Sequence, residues 1–225
     1  YRPVGLTGKM SVPTRKSAKA APGARTRLKI LAAAQAAFAE KGYSGANVNE
    51  IVAGAGTTKP MVYYHFGSKE GLFAAVLEGV YAGMRAIEGT LDLDGLPPGD
   101  AMRRLVHVTF DYHAAHPDWV RLIQVANIHE AQHIRDSPTI ASRNLAVLDI
   151  LSVLLARGAR DGAFRPGVDP LRLHLMIASM CFYRVSNRHT WRVIFGRDLD
   201  DPADAALQRT MLADAVLRYL QPGAA

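Results

Sequence analysis

The chain has 225 residues, 49% of them hydrophobic, enough for a sizeable core in one domain or two. Mean hydropathy is zero and no run of about 18 apolar residues stands out, so no membrane partner is expected; the single cysteine, Cys181, excludes an intramolecular disulfide and fits a reducing cytoplasm. The net charge of +7 is unevenly placed: residues 1–69 carry 11 basic against 2 acidic side chains (+9), and the rest of the chain 16 against 18 (−2).

Residues 1–27 hold Arg2, Lys9, Arg15, Lys16, Lys19, Arg25 and Arg27 and no acid. Within them, residues 1–23 mix cations with Ser, Pro, Ala and Gly and read as a disordered basic arm. A cationic arm before a neutral body is the footprint of a chain that docks on phosphate, although the same run also fits a solubilising tail. Tyr1-Arg-Pro-Val-Gly5 has no apolar run of the kind a secretory signal needs.

A helical stripe over 27–41 places Leu28, Leu31, Ala32, Phe38 and Ala39 on one side, with Gln35 as the exception, and stops at Gly42. Asn47 is a good N-cap for a short helix carrying Val48, Ile51 and Val52, which ends in Ala53-Gly-Ala-Gly56. Thr58 caps a third helix that tolerates Pro60 in its first turn and runs to Tyr64. Ser68 starts a fourth, roughly twenty residues long, with Phe73, Val76, Leu77, Val80 and Met84 on one face. Gly95-Leu-Pro-Pro-Gly99 is the clearest break. Helices are then expected over 100–115, 119–133, 138–158, 170–186 and 202–220, with Asn187 to Gly196 as a link. No segment sustains a two-residue alternation, so the fold class is all-α.

Two short helices joined by a glycine-containing turn and packed on a longer first helix make a helix-turn-helix, whose second helix enters the major groove. Here that helix is Thr58-Lys-Pro-Met-Val-Tyr-Tyr-His-Phe66. Lys59 suits guanine or phosphate and Met61 a thymine methyl. Tyr63, His65 and Lys69, with the helix N-terminus after Ser68, suit backbone phosphates; Val62 and Phe66 are core candidates. A tyrosine pair alone is ordinary packing and a lone histidine an ordinary surface residue; their convergence with charge inside twelve residues carries the reading.

Residues 24–73 resemble the DNA-binding domain of the TetR family of repressors, on the string Gly56-Thr-Thr-Lys-Pro-Met-Val-Tyr-Tyr-His-Phe-Gly-Ser-Lys-Glu-Gly-Leu-Phe73 and on Phe38-Ala-Glu-Lys-Gly-Tyr43. The resemblance implies a phosphate-contacting cap at Asn47, groove-facing positions at Lys59, Pro60 and Met61, and backbone contacts at Tyr63, His65 and Lys69; Thr58, the cap of the recognition helix, counts with them as a DNA-binding residue. Thr57 stands where an aliphatic residue is usual and Met61 where a small one is, which bears on the operator sequence. The implied organisation is an arm over 1–23, a head over 24–69 and a ligand-binding, dimerising body over 70–225. Such a protein acts in the cytoplasm as a homodimer, paired through its two C-terminal helices on pseudo-palindromic operator DNA and released by a small, largely apolar effector. Candidate effector contacts are Phe110, Trp119, Ile123, Asn127, Phe182 and Tyr183. No cofactor is expected.

Ile128-His-Glu-Ala-Gln-His133 also satisfies the His-Glu-x-x-His pattern of zinc peptidases, in which two imidazoles on one helix face hold the metal. No third ligand follows: Ile-Arg-Asp-Ser-Pro comes after His133, and residues 138–158 contain no glutamate. A peptidase and a sequence-indifferent nucleic-acid binder are therefore the alternatives to a regulator, and no metal is expected.

Overall fold

The structure, a computed structural model, describes residues 22–135 and 137–223; most of the expected basic arm lies outside the described residues. The helix α1 (Pro22–Gly45) is interrupted at Gly42, whose φ of 70° and ψ of 178° are not helical, so the break falls where the apolar stripe stops. α2 (Val48–Ala55) begins at Asn47, whose side chain accepts from the Asn49 amide at 2.8 Å, and ends at left-handed Gly56. α3 (Lys59–Phe66) runs two residues past the expected Tyr64. α4 (Lys69–Glu88) opens on Ser68, whose Oγ accepts from the Gly71 amide at 2.9 Å. Ile30, Ala34 and Phe38 from α1, Ile51 from α2, Val62 from α3 and Leu72, Phe73 and Leu77 from α4 are buried together and close the head.

The body comprises α5 (Pro98–Ala115), α6 (Pro117–Ile128), α7 (Pro138–Arg160), α8 (Pro170–Ser186), α9 (Arg188–Phe195) and α10 (Pro202–Leu220). Its core joins Met102, Leu105 and Val106 of α5 to Leu151 and Leu154 of α7, Leu173 and Ile177 of α8, and Leu212 and Val216 of α10. The head's core continues without a gap into α6 through Trp119, Val120, Leu122 and Ile123. Trp119 Nε1 donates to the Val80 carbonyl at 3.0 Å, which ties α6 to α4.

Three expectations change. The helix expected over 119–133 ends at Ile128, because Glu130 and Ala131 take positive φ of 53° and 55°. The link from Asn187 to Gly196 is itself helical. The expectation that no segment matches a membrane span also needs correction: α7 is long and apolar enough by length and composition. In this fold α7 lays Val147, Leu151, Leu154 and Leu155 into the body's core and packs against α4, α5 and α8.

Candidate nucleic-acid interface

α3 is anchored by one side chain and offers most of the others outward. Val62 is fully buried, whereas Thr58, Lys59, Pro60, Tyr63 and Tyr64 are exposed and Met61 and His65 half-buried. Thr58 has the extended backbone of an N-cap, but its hydroxyl makes no capping hydrogen bond. The expected hydroxyl cap is therefore absent, and Thr58 is exposed beside Lys59. Phe66, expected in the core, is half-buried with the Arg27 guanidinium 5.2 Å from its ring centroid, which brings a cation of α1 beside α3. Sequence reasoning passed over Tyr64, which is 79% exposed and carries a phenol on the same helix; an exposed aromatic of this size is the signal that only burial supplies.

The joint between α3 and α4 is fixed by backbone. Gly67 has φ 73°, a left-handed conformation that turns the chain sharply after Phe66. Gly71 then passes so near the Phe66 carbonyl that a methyl group on it would collide with that oxygen. This close approach sets the N-terminus of α4, with its positive dipole end, beside the recognition helix. Lys69 is drawn back toward the α1–α2 corner, its Nζ 3.4 Å from the Ser44 carbonyl and 5.0 Å from the Tyr43 ring centroid. Asn47 is exposed at the N-terminus of α2, where a helix presents unpaired amides.

The six expected effector contacts do not meet in one cavity. Trp119 and Phe182 are ring neighbours at 6.4 Å between centroids, and Ile123 is buried nearby in the same cluster. Phe110 belongs to the other core, under the Arg184 guanidinium and beside a groove with Met180 and Met211. Asn127 is exposed and donates to the Ile123 carbonyl of its own helix at 2.8 Å; Tyr183 is exposed and accepts from Trp191 Nε1 at 3.4 Å. A cavity of about 310 Å³ lies instead between the end of α4, the segment after it and α7, and Glu88 forms part of its wall.

The His-Glu-x-x-His string does not form a helical face, because the chain leaves α6 before Glu130. His133 instead enters the head's aromatic cluster, 4.3 Å from the Tyr43 ring centroid and 5.0 Å from that of Phe73. Its Nδ1 is 3.6 Å from Glu70 Oε1, and burial holds its pKa below the usual histidine value despite that carboxylate. Among the described residues no group of three His, Cys, Asp or Glu is arranged to hold a metal ion. His133 is thus part of the joint between head and body.

Two family models match the chain: bacterial regulatory proteins of the tetR family over residues 30–76, and the tetracyclin repressor-like C-terminal domain over residues 98–216. The chain is similar to the HTH-type transcriptional repressor NicS of Pseudomonas putida, with 36% identity over 209 residues that span 92% of this chain and 99% of NicS. It is also similar to the HTH-type transcriptional repressor AcnR of Corynebacterium efficiens, with 30% identity covering 69% of this chain and 77% of AcnR. Among solved structures, that of SCO4942 from Streptomyces coelicolor superposes with a TM-score of 0.64 at 29% identity, covering 87% of this chain and 98% of that one. FadR of Bacillus subtilis, solved in complex with stearoyl-CoA, shares the fold at a TM-score of 0.62 and 20% identity, covering 86% of this chain and 99% of FadR. With its helix-turn-helix head and its helical body each matched, the chain belongs to the TetR family of bacterial regulatory proteins and is a helix-turn-helix transcriptional repressor.

Proposed function

We propose that the protein acts in the cytoplasm as a homodimer, reads a pseudo-palindromic operator through α3, and leaves it when a small, largely apolar effector occupies the body. The observation that carries this reading is the pairing of an outward-facing recognition helix with a second, apolar surface that one chain does not cover. On α8, Leu171, Leu175 and Met180 are exposed; on α10, Leu207 and Met211 are exposed, and Met180 and Met211 meet in one groove. Apolar side chains exposed on two adjoining helices mark an interface, and a two-fold axis through them repeats each contact.

In this reading residues 1–23 are an arm that supplies phosphate charge, residues 24–69 the head and residues 70–225 the body. Lys59, Pro60 and Met61 face base edges, Thr58 lies at the DNA-facing start of the same helix, and Asn47, Tyr63, His65 and Lys69 hold the backbone. Tyr64 joins the second group on the strength of its exposure. The family's regulators do no chemistry on substrates, and nothing in the reading requires catalysis. Two heads on a two-fold axis read half-sites about one helical turn apart. Selection of random duplexes by the full chain tests it: the enriched sequences should form an inverted repeat bound by two chains. Enrichment of a lone half-site by one chain would overturn the dimer, and no enrichment at all would overturn sequence-specific binding.

A further inference from the structure

Arg85 and Glu88 stand one turn apart near the end of α4 and both face inward, with side chains 12% and 2% exposed. Arg85 Nη1 is 2.6 Å from Glu88 Oε2, yet the angles make no hydrogen bond there. Arg85 Nε, Arg85 Nη1 and Glu88 Oε2 are all buried without a hydrogen-bonded partner. A buried pair of charges is a weak source of stability, and apolar side chains of similar volume serve a core as well or better. Such a pair, bordering a cavity, is a mark of a binding site.

Glu88, not Arg85, lines the cavity of about 310 Å³. Leu91, Leu93, Ile150, Val153 and Leu154 supply its apolar walls, and Asp94 and Asp149 add two exposed carboxylates. Arg157 is the one cation in the lining, and its two Nη groups are already committed. They donate to the carbonyls of Asp94 at 3.0 Å, Leu93 at 2.9 Å and Leu96 at 3.1 Å, which leaves only Nε without a partner. The lining thus holds three carboxylates and one guanidinium, with Arg85 behind Glu88 as the second cation nearby, and the volume is at the lower end of the range for small-molecule sites.

We infer that this cavity takes a small organic cation, an ammonium-type head on an apolar body, with the charge held by Glu88 and the body by the aliphatic walls. The inference rests on the effector reading above and specifies the effector's chemical class. Burial pushes the Glu88 carboxyl up to about 7 even with Arg85 beside it, and a cation entering the cavity would favour its charged form. α4 also supplies the route to DNA. Its first residue, Lys69, is in the head and its last, Glu88, is in this cavity, about 30 Å away at 1.5 Å per residue.

Titration calorimetry and thermal melting of the full chain test the inference with 4-phenylbutylammonium, 4-phenylbutanol and 4-phenylbutyrate, which share one apolar skeleton. The ammonium should bind saturably, raise the melting temperature, and bind at least tenfold tighter than the other two. Glu88→Gln should reduce the ammonium to the affinity of the alcohol. Because that change strands Arg85, Val153→Trp is the second variant: Val153 is 65% exposed, so folding tolerates the change, while the indole fills the cleft and should abolish binding of all three. Tighter binding of the carboxylate, no ammonium binding at 10 mM (roughly the weakest affinity a specific site of this size warrants), or ammonium binding indifferent to both substitutions overturns the inference. Ammonium binding at Glu88 that leaves operator affinity unchanged supports the cation site and overturns the effector reading. A neutral apolar compound that releases DNA while the ammonium does not bind supports the effector reading and overturns the cation site.

Discussion

Leu175→Asp on α8 should split the dimer and leave the protomer folded. Leu175 is 67% exposed in the single chain, so the substitution removes nothing from the core. Complete burial of a leucine is worth about 1.5–3 kcal/mol, and a seam that covers the remaining two-thirds gains about 1–2 kcal/mol per chain. Two-fold symmetry repeats the loss, giving about 2–4 kcal/mol per dimer, before counting two carboxylates brought out of water without partners. The dissociation constant should rise by roughly 30- to 1,000-fold, at 1.4 kcal/mol per factor of ten. Sedimentation equilibrium across nanomolar to micromolar concentrations measures this directly, with circular dichroism as the check on folding. Ile128→Asp, at a 76% exposed position on α6, is the control and should leave the dimer unchanged. If Leu175→Asp sediments with the wild-type dissociation constant, the pairing face is not α8 and α10.

Lys59→Ala should lower affinity for the selected operator by about 1–3 kcal/mol and relax preference at one base position, whereas deletion of residues 1–21 should weaken binding to all duplexes alike and flatten the salt dependence. Electrophoretic shifts at two salt concentrations separate the two, and an undiminished salt slope after the deletion makes the arm a bystander. Gly71→Ala should destabilise the head by about 1–3 kcal/mol, because its methyl group meets the Phe66 carbonyl; an unchanged melting temperature would show that the α3–α4 joint yields freely. The Glu88 carboxyl, raised from about 4.5 to about 7, makes the folded chain hold a proton that the unfolded chain has released, so its share of stability falls as pH rises from 4.5 to 7. The buried His113 and His133 and the half-buried His107 and His174, held below the usual histidine value, act in the opposite sense below pH 6.5, so the comparison is with Glu88→Gln. Between pH 5 and 8 wild type should lose up to about 3 kcal/mol relative to the variant by urea unfolding, and parallel pH profiles would refute the assignment.

The head was legible because its chemistry is local. Asn47 and Ser68 accept from amides two and three residues ahead, and Gly56 and Gly67 take the positive φ at the ends of α2 and α3, so each boundary is written within a few residues of itself. Apolar spacing likewise placed α4, α8 and α10 to within two residues. What the spacing lacked was the identity of the facing partner. Trp119 and Phe182 do meet, but Phe110 packs in a different core and Asn127 and Tyr183 stay outside, since periodicity tells which side of a helix is apolar and not which two sides touch. Arg85 and Glu88 follow the pattern of a solvated i, i+3 pair, and only the burial that the assembled body imposes makes them a charged wall of a cavity. The end of α6 is the clearest case. Residues 129–133 continue a helical pattern in sequence, but His133 is buried against Tyr43 and Phe73, some ninety and sixty residues earlier, and the chain bends through positive φ at Glu130 and Ala131 to bring it there. Caps and glycine turns act within one turn of the chain, so the sequence alone determined them; contacts between distant segments override local preference, and those only the tertiary structure decided.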